Sequence, residues 1–278
     1  MKITYLGTGA AEGVPAMFCS CPFCKKIREA GTTEFRTRSQ VVIDGDLSID
    51  FPPEAYAHSL VGGVDLSALK YILVTHSHMD HFYAHDFILR GYKYATLECE
   101  KLSIYGNDEV NKVYAECTSR EMKAEVQACI AINKIGAYYS FTMGDYRVLS
   151  LPAQHGTAEE ALLYYVEKCG KGYLHLCDTG ALADEAIKFL VENGAHADLI
   201  TFDCTFLDAP RRSGTRHMCI DDNMAIKVRL DSAGVSDAQT KCVITHFSHN
   251  AQPSRERLAK IEEQYPVTAA YDGLTLEI

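Results

Sequence analysis

The amino-acid sequence predicts an α/β fold in which strands outnumber helices and helices recur through both halves of the chain. Two observations lead to this prediction. Short runs rich in β-branched and aromatic residues alternate with stretches of helical periodicity. In addition, one apolar run in each half leads into a Thr-His pair, at Thr75-His76 and at Thr245-His246. We therefore expect two similar halves that face each other and gather ligands along a shared edge.

The predicted elements follow in chain order. β-rich runs predict the first strands at Lys2–Leu6, Val41–Asp44 and Leu47–Phe51, the last two joined by a Gly-Asp turn signal. Later apolar runs predict strands at Tyr71–Val74, Leu102–Tyr105, Tyr146–Leu151, Leu162–Glu167, Tyr173–Cys177, Leu199–Phe202, Cys242–Thr245 and Leu274–Ile278. Helical spacing predicts helices at Pro53–Leu60, His81–Tyr92, Asn107–Ser119, Asp184–Asn193, Ile220–Ser232 and Ser254–Gln264. Because no long linker or repeat interrupts them, residues 1–278 are predicted to form one domain.

The composition limits the classes of partner. A net charge of −10 argues against a broad nucleic-acid surface, which needs clustered lysine and arginine. One basic cluster, Arg211 to Arg216, is compatible with either a solvated loop or a substrate contact. Glycines stand where a secretory signal would have its apolar stretch, and no run of about 18 apolar residues appears. We expect a cytoplasmic protein that does not bind membranes and whose eleven cysteines are thiols or metal ligands.

The motif His-x-His-x-Asp-His directly follows a predicted buried strand and comprises His76, His78, Asp80 and His81. In an extended segment His76 and His78 point the same way, and a turn brings Asp80 and His81 toward a neighbouring position. Imidazole and carboxylate ligands suit Zn, Mn or Fe, and neither pair closes a coordination sphere by itself. The motif therefore predicts a loop that serves two metal ions.

Three further candidate ligands follow predicted strands in the same way. His155 lies after the strand ending at Leu151, Asp178 follows an apolar run, and His246 ends the sequence "VITH". Each residue alone could be an ordinary polar loop residue. Together with the preceding motif, they predict a shared metal site.

These motifs resemble those of the metallo-β-lactamase superfamily over nearly the whole chain. The resemblance implies an αββα sandwich, two mixed sheets packed face to face with helices outside. It also implies that His76, His78 and His155 bind the first metal, that Asp80, His81 and His246 bind the second, and that Asp178 bridges them. Both ions would be divalent, zinc or manganese, and Asp80 would also count as catalytic because nucleophile activation needs the metal pair.

Within that superfamily, the opening "YLGTGAAEGVPAMFCSCPFC" is similar to the phosphoribosyl cyclic phosphodiesterases and to the pyrroloquinoline quinone B proteins. The resemblance implies hydrolysis of a small cyclic or sugar phosphodiester by water that two metal ions activate. It also places a catalytic histidine at His217, just before a predicted helix. Relatives are often homodimers. The chain departs from the family after His81, where Phe82 and Tyr83 are expected to narrow or reshape the pocket.

Other functions share parts of this pattern. A tRNA 3′-end endonuclease would have the same metal ligands. Such an enzyme would also carry a Gly/Pro-rich arm, which is not evident here. A thioesterase of the glyoxalase kind would lack the cysteine-rich opening. A di-iron redox relative usually has Glu where His78 stands. A non-catalytic metal-binding protein on the same fold would be expected to have lost ligands.

The cysteine-rich opening predicts a second kind of metal site. Cys19, Cys21 and Cys24 are one ligand short of a tetrahedral set. His249 lies three residues beyond His246, so the same loop could send it outward to a different ion. The resemblance to the cyclic phosphodiesterases points to the same residue. We therefore predict a structural zinc at these four residues, with three reduced cysteines on a loop as the alternative.

Overall fold

The computed structural model describes residues 1–156, 158–210 and 216–278. Its strands are β1 (Lys2–Gly7), β2 (Gln40–Ile43), β3 (Leu47–Ile49), β4 (Tyr71–Leu73), β5 (Leu102–Gly106), β6 (Ile130–Lys134), β7 (Tyr139–Met143), β8 (Tyr146–Pro152), β9 (Leu162–Lys168), β10 (Lys171–Leu176), β11 (Leu199–Asp203), β12 (Lys241–Thr245), β13 (Thr268–Ala269) and β14 (Leu274–Glu277). Its α-helices are α1 (Pro22–Ala30), α2 (Ala55–Val61), α3 (Asp108–Thr118), α4 (Ala124–Gln127), α5 (Asp184–Glu192), α6 (Ile220–Ser232) and α7 (Arg255–Gln264).

In the described parts of the chain the strands form two mixed sheets of seven strands each. The first sheet has the order β14-β1-β2-β3-β4-β5-β6, and the second has the order β13-β12-β11-β10-β9-β8-β7. Within the first sheet β3, β4, β5 and β6 run parallel, and within the second β10, β11, β12 and β13 do so. Parallel strands place their carboxyl ends at one edge, so loops that follow them meet there.

Apolar side chains fill three layers. Tyr5, Val41 and Leu73 of the first sheet pack against Tyr164 and Val243 of the second, which makes the layer between the sheets. A second cluster lies between helices α5, α6 and α7 and the outer face of the strands from β8 through β12. A third joins β4 and β5 to α2, α3 and α4. Each sheet is thus covered by helices on its outer face, which is the predicted αββα sandwich.

The helix predicted at His81–Tyr92 is wrong. That segment contains only a short 3₁₀ helix, Ala84–Leu89. Its first residues form an isolated bridge to Phe51, which lies just after β3: the Phe51 N–H donates to the His81 carbonyl at 2.7 Å, and the Tyr83 N–H donates to the Phe51 carbonyl at 2.7 Å. Because the His81 carbonyl is bonded outside the segment and the bridge holds Phe82 extended, an α-helix cannot begin there.

The cysteine-rich opening differs from the predicted loop. The side chain of Cys21 caps helix α1 and Pro22 occupies its first turn, so Cys24 lies within the helix. Proline in the first turn is compatible with a helix because that N–H has no intrahelical partner. Strands β6, β7 and β13 and helix α4 were also absent from the prediction. Among the described residues, no helix combines the length and apolar character needed to cross a membrane.

Candidate metal centre

The histidine motif lies on the loop after β4. His76 and His81 are 1% and 0% exposed, whereas His78 is exposed, so the loop has a buried side and an open side. The Thr75 N–H donates to Asp50 Oδ1 at 2.8 Å, which fixes the start of the loop to the end of β3. The four motif residues therefore occupy defined positions at the edge of the first sheet.

One group of possible ligands lies on the open side and consists of His76, His78, His155 and Asp178, whose ligand atoms all lie within 4.8 Å of one another. His76 Nε2 is 2.9 Å from His78 Nδ1, and His155 Nε2 is 3.3 Å from the same atom. Asp178 Oδ1 is 3.0 Å from His155 Nδ1. These four residues could hold one metal ion.

A second group lies deeper and consists of Asp80, His81, Asp178 and His246, which are all buried and also lie within 4.8 Å of one another. His81 Nε2 is 3.3 Å from Asp80 Oδ2 and 3.2 Å from Asp178 Oδ2. His246 Nε2 is 3.8 Å from Asp178 Oδ2. The structure thus brings together all seven residues that the sequence pattern singled out, in the two groups expected, and Asp178 is common to both.

Asp178 and His246 have a strained backbone. Their φ angles are 52° and 62°, a left-handed conformation that side chains other than glycine adopt rarely. His246 follows β12 directly and Asp178 follows β10 after one residue, and both side chains lie in the ligand groups of the centre. Burial would raise the pKa of Asp178, but the nearby His246, His155 and His81 imidazoles hold it well below its usual range. The central carboxylate is therefore ionised.

The pattern of unpartnered atoms fits metal ligands. His81 Nε2, His246 Nε2 and Asp178 Oδ1 are buried and make no well-aligned hydrogen bond within the described chain, although each lies 3.0 to 3.8 Å from another member of the cluster. Buried polar atoms are normally bonded, so such atoms need an explanation. Burial opposes a charge on His81, yet the Asp50 and Asp80 carboxylates raise its pKa well above the usual value. Without a metal, a proton on the His81 imidazole offsets the negative charge of these carboxylates. A divalent ion bound to the imidazole would displace that proton.

Asp50, which the sequence analysis missed, orients two of the histidines. Its Oδ2 accepts from His81 Nδ1 at 2.6 Å. Its carboxylate also accepts from the Thr75 hydroxyl at 2.9 Å, and Thr75 Oγ1 lies 3.0 Å from His76 Nδ1. Carboxylates that fix the far nitrogen of a ligand histidine set its tautomer and its direction. Asp50 ends the run "LSID" in the same way that Asp178 follows "LHLC", so the strand-end signal was present.

Asp203, at the end of β11, has the corresponding place in the second sheet. Its Oδ1 accepts from the N–H groups of Thr205 and Met218, both at 3.0 Å. The Thr205 hydroxyl is 2.9 Å from His246 Nδ1, which leaves His246 Nε2 for the centre. The sequence analysis missed Asp203 too, although "LITFD" carries the same strand-end pattern.

His217 lies beside the cluster, as expected. Its Nδ1 is 3.0 Å from Asp203 Oδ2 and 3.2 Å from Asp178 Oδ1, and its ring stacks on His246 with centroids 5.4 Å apart. Burial would lower the pKa of His217, but the Asp203 carboxylate raises it to about 9. A histidine held in this way by a carboxylate can keep a proton close to the metal ligands. The preceding residues 211–215, which include most of the basic cluster, lie outside the described residues.

Cys19, Cys21, Cys24 and His249 form a separate group whose ligand atoms lie within 4.8 Å of one another. Cys24 Sγ is 3.4 Å from His249 Nδ1, and the Ala16 N–H donates to Cys24 Sγ at 3.4 Å. The Cys24 N–H donates to Cys21 Sγ. This hydrogen bond is the main reason that the pKa of Cys21 is lowered to about 6. These residues could hold a metal ion through sulfur ligands. Glu12, which the sequence analysis gave no role here, accepts from the His249 N–H at 3.2 Å.

Phe82 and Tyr83 lie in different surroundings, and their effect on the substrate pocket stays a prediction. Phe82 is 1% exposed and packs with Phe87 in the outer core of the first sheet. Its neighbour Tyr83 is half-buried and lines a cavity. The bridge to Phe51 turns the two side chains to opposite sides.

The deeper group gives a direct prediction. Asp80→Ala combined with His81→Ala removes two of its four ligand side chains and should lower the metal content of the folded protein by one ion per chain. The measurement is elemental analysis after dialysis, with folding checked by circular dichroism. His85→Ala combined with Asp86→Ala removes the next histidine and carboxylate along the chain, outside the cluster, and should leave the metal content unchanged. Full metal content in the first variant would contradict the assignment.

The fold is similar to that of several solved structures. A diphosphatase of the PhnP family superposes with a TM-score of 0.71 and 20% sequence identity, covering 100% of this chain and 97% of that chain. Zn²⁺-bound PqqB from Methylobacterium extorquens gives a TM-score of 0.67 and 19% identity, covering 100% of both chains. The short form of human tRNase Z gives 0.70 and 18% identity, covering 100% of this chain and 99% of that chain. At these identities the likeness shows a shared fold.

The sequence comparisons assign the family. An octanoyltransferase from Porphyromonas gingivalis is 34% identical over 85 residues, which is 29% of this chain. The chain matches only 16% of the length of that relative. Residues 47–247, well over half of the chain and including all seven residues of the metal cluster, match the family model of the beta-lactamase superfamily domain. The chain therefore belongs to the beta-lactamase superfamily and has its metallo-β-lactamase fold.

Proposed function

We propose that the protein is a metal-dependent phosphodiesterase that acts on small cyclic or sugar phosphodiesters. The observation that carries this proposal is the pair of four-residue groups that share Asp178, with His217 placed against the shared carboxylate at 3.2 Å. Two metal ions held together can bind the non-bridging oxygens of a phosphate ester and activate water. Seven ligands of this kind are more than a single structural ion needs.

The chain's own residues would supply three functions beyond metal binding. Asp50 beside His81 and Asp203 beside His246 would hold these two ligand histidines in one tautomer, so the centre is ordered before substrate arrives. Cations held at the buried Asp178 would attract an anionic phosphate to a protein whose net charge is −10. His217, anchored by Asp203, would donate a proton to the departing alkoxide oxygen.

A tRNA 3′-end endonuclease is the competing function, since human tRNase Z has a TM-score of 0.70 against 0.71 for the PhnP-family diphosphatase. The fold comparison therefore does not separate the two. Net charge favours the small substrate, because tRNA binding needs an extended basic surface. A thioesterase and a non-catalytic metal-binding protein are less consistent with a histidine held beside an intact cluster.

A structural zinc at Cys19, Cys21, Cys24 and His249 is a further part of this proposal. The ligand atoms of these four residues lie within 4.8 Å of one another, and zinc favours a closed tetrahedral site with three thiolates and one imidazole. The cluster connects the start of α1 to the loop that carries His246. Glu12 reinforces this link by accepting from the Ser248 hydroxyl at 2.6 Å. Zinc here would couple the stability of the N-terminal segment to the position of a catalytic-site ligand.

The activity proposal predicts that the purified protein, supplied with Zn or Mn, hydrolyses bis(4-nitrophenyl) phosphate and small cyclic phosphodiesters. Dialysis against a chelator should abolish the activity, and added metal should restore it, because both substrate binding and water activation need the ions. Efficient trimming of precursor tRNA, with no turnover of small diesters, would reverse the order of the two functions.

The acid role predicts that the effect of His217→Ala depends on the leaving group. Proton donation matters most for a poor leaving group, so turnover of an alkyl diester should fall by roughly 10² to 10⁴ and that of a nitrophenyl diester by much less. Metal content should stay at the wild-type value. His85→Ala, which changes a histidine outside the cluster, is the control. Equal losses on both substrates would instead assign His217 to binding or folding.

The zinc proposal predicts that Cys21→Ser and His249→Ala each lower the zinc content by one ion per chain and lower the melting temperature. Cys169→Ser removes an exposed thiol elsewhere and should change neither quantity. Thiolate ligands contribute folding free energy only when zinc is bound, so a chelator should reduce the difference in melting temperature between wild type and variants. Unchanged zinc content in both ligand variants would eliminate this site.

A further inference from the structure

We infer that the cavity next to the metal-binding loop binds an apolar alkyl or aryl group of the substrate. The inference rests on the proposed function and adds a substrate class to it, a phosphodiester with one apolar ester group. The cavity has a volume of about 830 Å³ and is lined mostly by apolar and aromatic side chains. Small-molecule pockets typically have about 300 to 1,000 Å³ and largely apolar walls.

The metal-binding loop forms one wall of this cavity. Met79, which lines it, stands between His78 of the open ligand group and Asp80 of the deeper group. Met79 is 55% exposed and His78 is exposed, so consecutive residues of one loop present side chains at the surface, one to the cavity and one to the open ligand group. Tyr83, two residues after His81, lines the cavity from the same loop. A phosphate at the centre would therefore have an ester substituent within reach of apolar walls.

The opposite walls come from three other segments. Met17 and Phe18 belong to the cysteine-rich opening, Tyr56 to α2, and Leu89 to the 3₁₀ helix after the metal-binding loop. Phe18 is 97% exposed, Tyr56 66% and Leu89 49%. Large apolar side chains grouped around a concave surface usually mark a binding site, because burying them against an apolar ligand is favourable.

The charges that line the cavity are mostly bound within the protein. Arg38 donates to Glu54 Oε1 at 2.7 Å and to the Ala11 carbonyl at 2.7 Å. Arg90 donates to the Cys99 carbonyl. Among the described residues, Asp86 is the only carboxylate that lines the cavity, and Ser67 and two tyrosines are the uncharged polar residues there. Because most of the remaining wall is aliphatic or aromatic carbon, an apolar substituent fits the cavity best.

The concave shape argues for a small molecule over a second copy of the chain. A stable protein interface buries about 800 Å² on each partner and is commonly flat, whereas a concave volume of about 830 Å³ is of the size that holds a small ligand. Association of two copies through the same residues remains an outcome that the experiment below distinguishes.

The test is a series of alkyl 4-nitrophenyl phosphates from methyl to hexyl. All share one leaving group, so kcat should vary little. KM should fall at least about tenfold over the series, since each buried methylene is worth about 0.8 kcal/mol, or up to about fourfold in affinity. Tyr56→Ser and Leu89→Ser should flatten this dependence of KM on chain length, whereas Leu60→Ser should leave it as steep as in the wild type. Leu60→Ser is the matched control, because Leu60 lies on α2, is also 66% exposed and does not line the cavity.

Each result has a defined meaning. A constant KM along the series in an active enzyme overturns the inference and leaves the phosphodiesterase proposal intact. The inference is also overturned if Tyr56→Ser and Leu89→Ser change the sedimenting mass but not KM, which would assign the surface to a second copy. If no diester is hydrolysed, the proposed function fails. The cavity is then tested alone with the fluorescent dye N-phenyl-1-naphthylamine, whose displacement by a ligand lowers the fluorescence. Displacement by hexyl but not methyl phosphate, lost in Tyr56→Ser, supports the cavity; no displacement overturns it.

Discussion

The buried carboxylate of Asp178 is the constraint on which the rest of the site depends. It is 4% exposed, and its oxygens lie 3.0 to 3.4 Å from nitrogens of His155, His81 and His76. An ionised carboxylate in such a place costs several kcal/mol unless positive charge offsets it. Divalent ions shared with the surrounding imidazoles would supply that charge. The same charge would then attract a phosphate ester, so one interaction links the stability of the centre to its chemistry.

The two-sheet architecture delivers these groups to one place. β4, β10 and β12 end at the same edge of the sandwich, and the residues that follow them reach the centre. Each sheet also supplies a carboxylate next to the Nδ1 atom of a ligand histidine. This carboxylate is Asp50 in the first sheet and Asp203 in the second. This correspondence explains how a loop with several adjacent histidines keeps a single arrangement. In these histidines the ring nitrogen that faces away from the centre is held by a neighbouring polar group, and this fixes the direction of the nitrogen that faces the centre.

Much of this arrangement could be predicted from sequence because strand ends and motif spacing are local signals. His76 and His246 follow apolar runs, and the fold brings those runs to one edge. Asp50 and Asp203 carried the same signal and were missed because neither belongs to a recognised spacing. The helix expected at His81–Tyr92 failed for a different reason. Its periodicity is helical, but the bridge to Phe51 binds its first backbone groups, and a pairing between residues 31 apart is invisible locally.

Whether Asp178 joins two metal sites can be seen by anomalous diffraction from crystals grown with zinc. We expect two peaks about 3.5 to 4 Å apart, with Asp178 between them. His76, His78 and His155 should surround one peak, and Asp80, His81 and His246 the other. A single peak in this cluster at saturating zinc, or two peaks of which only one contacts Asp178, would contradict the account.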